Sequence, residues 1–283
     1  MLEHAASDSR IIRVVTLNIA HGRGLSAYQG FHSEKGIERR LKSVAQLLER
    51  LNADIVALQE VDEDSHWNRR IHLLDTLKRR TGYPHSYLGV HNRRGGTHPL
   101  AYGNGLLTRF PIEIAEKRAF GQSTLGEKGF VCVELETPHG RLPVINLHLD
   151  FRSRLRRIRQ VEQLVQYLDD KRYTSEGTPH LSPIVCGDFN SKEARSSDAV
   201  RHLFQYLKGQ CDYQLYPQGR RSKTFPSIFP IHGLDFIFVP PEYEVFDSQV
   251  IRSFVSDHRP VLVTLRLREH PVEPEALLES GHI

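Results

Sequence analysis

A mixed α/β fold is what this sequence predicts, on two observations. Short β-branched runs alternate with segments whose apolar residues keep helical spacing. Polar residues also recur at the ends of the runs: Asn18, Glu60, His148 and Asp188 stand at exits, whereas Asp235 and Asp257-His258 stand at entrances. If all these positions share one rim, the last two strands run antiparallel to the other four. That excludes a purely parallel doubly wound sheet and favours mixed sheets. Runs that are apolar throughout are covered on both faces, and helices outside with sheet against sheet inside satisfy this. Since the first and last runs then serve one rim, residues 11–267 are expected to form a single domain, with a polar arm over 1–10 and a polar tail over 268–283.

The elements follow in order. Ile11–Asn18 is a β-branched run ending in a carboxamide, and Gly22, Gly24 and Gly30 mark the loop after it. From Ile37 the residues Leu41, Val44, Ala45, Leu48 and Leu51 predict a helix. Asp54–Glu60 is the next strand, finishing on a carboxylate, and a second helix holds Leu74 and Leu77 and stops near Gly82. Asn92–Pro99 reads as a polar loop, followed by Tyr102–Leu107. Val131–Leu135 and Leu142–Asp150 read as neighbouring strands joined through Pro138-His139-Gly140. A helix follows with Leu155, Ile158, Val161, Leu164, Val165 and Leu168 on its apolar face and Arg152, Arg154, Arg156, Arg157 and Arg159 about its start. Pro183–Asn190 is a buried strand turned sharply by Gly187. Extended alternation would then send Asp188 and Asn190 to one side. Val200, Leu203, Phe204 and Leu207 give a short helix, and two late strands begin after Asp235 and Asp257-His258.

Composition sets outer bounds. Hydrophobic residues make up 39% and charged residues 25%, the balance of a soluble globular chain. No apolar run nears the length of a membrane span, and the first residues lack the basic-then-apolar order of a secretory signal. Cys132 and Cys186 lie in apolar runs, so no disulfide framework follows and a reducing, cytoplasmic compartment is expected. The net charge of +4 permits an anionic partner without demanding one. No protein partner is expected.

The rim would gather Asn18, Glu60, Asp188, Asn190, Asp235 and Asp257 with His148 and His258. Taken singly, an Asp or Asn after a strand is an ordinary turn residue; together they form an inventory dominated by hard oxygen donors. That suits Mg²⁺ or Mn²⁺, which keep several waters and are held by one or two carboxylates plus substrate phosphate. Zinc would want compact histidine ligation such as His-Glu-x-x-His, absent here despite 16 histidines.

Thr16-Leu17-Asn18, Leu58-Gln59-Glu60, Asn146-Leu147-His148-Leu149-Asp150, Gly187-Asp188-Phe189-Asn190, Leu234-Asp235-Phe236-Ile237 and Ser256-Asp257-His258-Arg259-Pro260 resemble, in order, the motifs of the endonuclease/exonuclease/phosphatase superfamily. The resemblance covers about residues 12–266. It implies a four-layer α/β sandwich of the deoxyribonuclease I type, two mixed sheets packed face to face and flanked by helices. Glu60 then matches the principal metal carboxylate, with Asn18 and Asp257 close to the ion or its waters. Asp188 matches the acid that deprotonates the attacking water, and Asn190 the amide that holds a phosphate oxygen. Asp235 matches the carboxylate paired with His258, and His148 a second phosphate-contacting histidine. Abasic-site endonucleases typically have a tyrosine at that last position, and inositol 5-phosphatases carry an aromatic before Gly-Asp where Val185-Cys186 stands here. Both branches are therefore disfavoured.

The expected activity is metal-dependent phosphoester hydrolysis, a phosphodiester before a monoester on family prevalence. A non-catalytic binding module would predict loss of one of the motif residues, and none is lost. Asn104, Arg152 and Arg159 are candidate substrate contacts, and Arg93-Arg94 and Arg220-Arg221-Ser222-Lys223 add basic loops. These segments suit an anionic polymer or surface. Stacking aromatics could identify nucleic acid, but Phe151, Tyr173 and Phe225 serve equally as packing. A peripheral lipase would show an exposed apolar patch or amphipathic insertion, and the sequence shows no such segment. The expectation therefore tips towards a nucleic-acid phosphodiester, with a sphingomyelinase-like phospholipid substrate or a small phosphoester, phosphoinositide included, behind it.

Overall fold

The computed structural model describes residues 10–121, 126–172, 181–191, 198–219 and 222–268. Its strands and helices are β1 (Ile11–Asn18), α1 (Glu34–Leu51), β2 (Ile55–Asp62), α2 (Leu73–Thr81), β3 (His85–Arg94), β4 (Leu100–Thr108), β5 (Ile112–Ala119), β6 (Gly129–Thr137), β7 (Gly140–His148), α3 (Arg154–Arg172), β8 (Ile184–Asp188), α4 (Ala199–Gln210), β9 (Gln214–Tyr216), β10 (Asp235–Val239), β11 (Tyr243–Val250) and β12 (Val261–Leu267).

The strands make two six-stranded sheets, in the orders β11-β12-β1-β2-β4-β3 and β5-β6-β7-β8-β10-β9. β1 runs parallel to β2 and β7 parallel to β8, while β12 lies antiparallel to β1 and β10 antiparallel to β8. The antiparallel sense expected of the last two motif strands is therefore present in both sheets.

Side-chain alternation on the central strands builds four layers. Val15, Leu17, Val56 and Leu58 face α1 and α2, whereas Ile12, Val14, Ile55 and Ala57 turn inward to meet Val131, Val133, Ile184, Cys186 and Ile237 of the other sheet. On the far side Ile145, Leu147, Val185, Phe236 and Phe238 pack against α3 and α4. Strands buried on both faces need apolar residues at both parities, which is why these runs read as continuous. The helices are capped by their own sequence. Ser33 accepts from Gly36 N at the start of α1, and Asn52 and Gly82 take left-handed conformations after α1 and α2. Burial pushes the Cys186 thiol up to about 12 and that of Cys132 up to about 11, as befits small core residues. No helix among the described residues is long and apolar enough to cross a membrane.

Several expectations are corrected. Asn92-Arg93-Arg94 continues β3 rather than forming a loop, and β5, β9 and β11 were not legible. These strands lie at or beside sheet edges, and β5 and β11 bury few residues, so they lack the apolar signature of the central strands. On α3, Leu155 is exposed while Arg157 is buried. Arg157 grips Asp198 with two hydrogen bonds, Nε to Oδ1 at 3.1 Å and Nη2 to Oδ2 at 2.5 Å, and so leaves the basic surface expected of it. Tyr173, Arg220, Arg221 and most of both terminal segments lie outside the described residues.

Gly187 marks the tightest point between β7 and β8. Its φ is +140°, and a Cβ there would stand 2.0 Å from the Leu147 carbonyl oxygen. Gly187→Ala is expected to cost roughly 2–4 kcal/mol of stability, the range of backbone strain with a hard clash. Urea unfolding checks this; an unchanged midpoint would contradict the close approach.

Candidate active site

Strand register alone lines up the first half of the site. His148 of β7 stands opposite Asp188 of β8, and Asp188 stands opposite Asp235 of β10. All three side chains are buried. His258 lies on the loop between β11 and β12 and reaches this row from the other sheet.

Asp188 is the hub. Its Oδ2 accepts from Asn18 Nδ2 at 3.0 Å, a hydrogen bond that crosses between the sheets, and its Oδ1 accepts from Asn190 N at 2.9 Å. His148 Nε2 and His258 Nε2 lie 3.5 and 3.7 Å from Oδ2. Burial pushes the Asp188 carboxyl above its ordinary range. His258 pulls it back, Asp235 raises it again, and the balance stays upward.

His258 is held by Asp235, whose two oxygens lie 2.9 and 3.1 Å from Nδ1. The Nδ1–H therefore donates to the carboxylate, leaving Nε2 on the Asp188 side. Burial works against the charged ring, but Asp235 and Asp188 outweigh it and lift the imidazole to about 10. His148 goes the other way, driven down by burial and then by the ammonium of Lys128. Lys128 Nζ sits 2.9 and 3.2 Å from the two His148 ring nitrogens.

Asn190 reaches the site by a different route from the one expected. β8 ends at Asp188, and Asn190 has φ 48°, so no extended alternation links them. The Asn190 N–H instead closes onto the Asp188 carboxylate. The side-chain amide then donates to Leu149 O at 3.0 Å and lies 3.1 Å from His148 Nε2.

Glu60 is likewise set by a break in regularity. It is left-handed, φ 55°, where the β2–β4 register slips between Leu58 and Val61. Leu58 and Val61 both pack into the helical layer. An unbroken pleat would have sent Glu60 there with Leu58. The bulge turns its carboxylate into the cleft instead, 3.5 Å from His21 Nε2 and 3.8 Å from Lys128 Nζ. Burial opposes ionisation, yet His21 first, then Lys128 and His258, hold this carboxyl well below its usual range.

Sequence reasoning missed the support behind Glu60. His21 Nδ1 lies 2.8 Å from Asp62 Oδ2, and Asp62, fully buried, also accepts from Trp67 Nε1 at 2.9 Å and Asn68 Nδ2 at 2.5 Å. The ring packs edge-on against Trp67 and Tyr102. Position two past Glu60 was a usable signal for Asp62, while nothing in the sequence singled out Lys128.

The remaining candidates divide. Asp257 is held by Arg23 Nη2 at 2.6 Å, and Asn18 Oδ1 accepts from Ala20 N at 2.9 Å. Asn104 is buried opposite the bulge and donates to Gly129 O and Asn146 O, tying the sheets together. Arg152 and Arg159 are exposed outside the buried row. Among the described residues, the one group of His, Cys, Asp or Glu side chains with ligand atoms clustered as for a metal is Asp188, Asp235 and His258, within 4.8 Å of one another. Its histidine already spends Nδ1 on Asp235, which makes this cluster a hydrogen-bonded chain first.

The model of the Endonuclease/Exonuclease/phosphatase family matches residues 15–258. The chain belongs to that family. A relative in Escherichia coli (strain K12), the uncharacterized protein YbhP, is 26% identical over 274 residues, covering 90% of this chain and 96% of its own. Among solved structures, a mannosyl-6-phosphatase of Bacteroides thetaiotaomicron superposes with a TM-score of 0.63 at 19% identity, over 90% of this chain and 99% of that one. Sphingomyelinase C of Streptomyces griseocarneus does so with a TM-score of 0.62 at 19% identity and the same coverage. Both share the fold of two mixed sheets flanked by helices, and the family is one of phosphoester hydrolases.

The Asp235–His258 pair stabilises the fold fully below the ordinary imidazole range, and that contribution is lost as pH rises through about 10. Asp235→Asn is expected to lower the pH at which His258 loses its proton by at least about one unit, since the carboxylate is the leading charge that raises it. NMR titration of the ring measures this; an unmoved titration would sink the pairing.

Proposed function

We propose that this chain is a divalent-metal-dependent phosphohydrolase that cleaves a phosphodiester by attack of water on phosphorus. The observation that carries the reading is Asp188, a buried carboxylate held by Asn18 and Asn190 with a cationic His258 beside it. Family membership points to the same chemistry class.

The donor set fits Mg²⁺ or Mn²⁺ at Glu60. Its carboxylate is anionic, opens to the cleft with a fifth of its side chain exposed, and has drawn the Lys128 ammonium towards it. Glu60 would hold the ion, with substrate oxygens and waters completing its shell and Asn18 and Asp257 bordering it. When bound, the ion supplies Lewis-acid polarisation of the phosphoryl oxygen. The protein's own groups do the rest. Asp188, with its carboxyl raised by burial, takes the proton of the attacking water as the O–P bond forms. His258, fixed by Asp235, faces the negative charge that develops on phosphorus and can return a proton to the leaving oxygen as the P–O bond breaks. Asn190 and His148 hold a phosphate oxygen, with Lys128 beside them.

A cytoplasmic setting belongs to this reading and rests on the buried thiols of Cys132 and Cys186. The nucleic-acid preference rested on the lack of an exposed apolar segment, and that ground is gone. Ile228, Phe229 and Ile231 stand exposed together on the loop before β10.

Glu60→Gln should weaken metal affinity and regain part of its activity in excess Mg²⁺ or Mn²⁺. Asp188→Asn should keep metal affinity and lose at least about 10²-fold in turnover, the scale of a lost general base. Calorimetric metal titration beside kinetics separates the two; rescue of Asp188→Asn by metal alone would refute the assignment.

A further inference from the structure

Exposed large apolar side chains gather on one side of this molecule. Apart from Ile114 on β5 and Phe246 on β11, every one among the described residues lies on loops, or the first turn of α3, adjoining the strand ends that carry the site. Phe31 is 84% exposed after β1, Phe151 60% after β7, and Phe229 77% before β10. These loops touch one another through the site. Ser227 N donates to Asp257 O at 2.7 Å, and the Phe225 ring lies 4.8 Å from that of His258. Arg23 joins the loop after β1 to Asp257, and Asn190 joins the loop after β7 to Asp188.

Charge on this rim is arranged with the apolar tips. The Arg152 guanidinium lies 5.0 Å over the Phe151 ring, and that of Arg252 lies 5.8 Å from Phe254. Arg156 and Arg159 are exposed just beyond, on α3. The acidic side chains after β2 are neutralised locally, Glu63 by Arg93 and Asp64 by Arg70.

We propose that this rim docks on a bilayer with anionic headgroups, and that the phosphoester presented to Asp188 and His258 is carried by a lipid. The second half rests on the phosphohydrolase reading above. Separate apolar tips set among arginines suit a membrane interface, where the tips enter the acyl boundary and the guanidinium groups stay at headgroup phosphates. Aliphatic Ile228 and Ile231 offer a nucleotide base no ring to stack on. A single-stranded nucleic acid would want aromatics at those points.

Flotation of the full chain with vesicles tests the docking without any turnover. Vesicles of equal phosphatidylglycerol and phosphatidylcholine should carry the protein at least about tenfold better than phosphatidylcholine alone, with the advantage falling as salt rises. The double variant Phe229→Ser with Ile231→Ser should lose at least about tenfold in flotation, and so should Phe254→Ser with Arg252→Ala, because each removes apolar insertion or headgroup charge. An unchanged thermal midpoint shows that the variants fold. Equal flotation of either folded variant, no preference for the anionic vesicles, or a dimer in solution that the same substitutions dissolve would overturn the docking. So would binding of single-stranded DNA or RNA, in place of vesicles, that those substitutions abolish.

Turnover of soluble bis(p-nitrophenyl) phosphate with Mn²⁺ reads the phosphohydrolase independently and should be present in the wild type and both variants. Its absence from the wild type would strike that reading and the lipid phosphoester with it, while flotation still decides the docking. Turnover of the soluble diester with formation of neither phosphorylated headgroup nor phosphatidate from the vesicles would overturn the lipid substrate alone.

Discussion

A carboxylate sealed between two sheets is the constraint on which this site depends. Removing such a group from water costs several kcal/mol unless donors and charges replace the lost hydration. For Asp188 the replacements come from both sheets, Asn18 and His258 from one and His148 and Asn190 from the other. The sheets must therefore meet within hydrogen-bond distance at this end. Beneath the row they do so again through polar groups. Gln59 donates to Asn146 Oδ1 at 2.6 Å, and Asn146 donates to Leu58 O and Gly105 O at 2.9 Å. The sandwich is apolar through its middle and polar under its rim, so its packing and its chemistry share the same contacts.

Two carboxylates in one cleft are pushed in opposite directions by their surroundings. Glu60 lies among cationic or polarisable nitrogens and stays ionised, while Asp188, more deeply buried and beside Asp235, is raised. Such divergence lets one acid serve as a fixed anion while another exchanges protons. The histidines divide likewise, His258 stabilised as a cation by Asp235 and His148 kept neutral beside Lys128. None of these differences follows from residue type. Each follows from which neighbour the register supplies.

The central strands were legible because a strand covered on both faces must be apolar at every position, and that demand leaves a continuous run. The polar residues at their ends, placed on one rim, require the direction that β10 and β12 take. Edge strands such as β5 and β11 are under no such demand and left no trace. Arg157 misled for a related reason: a buried bidentate ion pair looks, in one dimension, like any other arginine on a basic helix. Lys128 and His21 are partners of Glu60 only in space. Of the apolar tips, Ile228, Phe229 and Ile231 share one short segment that reads like ordinary core sequence, whereas the others come from loops distant in sequence.

The bulge in β2 sets local order against usefulness. At Glu60 the chain gives up regular pairing with β4 and adopts a left-handed conformation that costs an ordinary side chain of order 1–3 kcal/mol. A version of this strand that kept its phase would fold more securely and send the sixtieth residue into the helical layer, where a carboxylate has no place. Improvement of this protein for stability alone would therefore find β2 an easy target and would erase the proposed cation site in doing so. One residue out of step is what keeps the two ambitions apart.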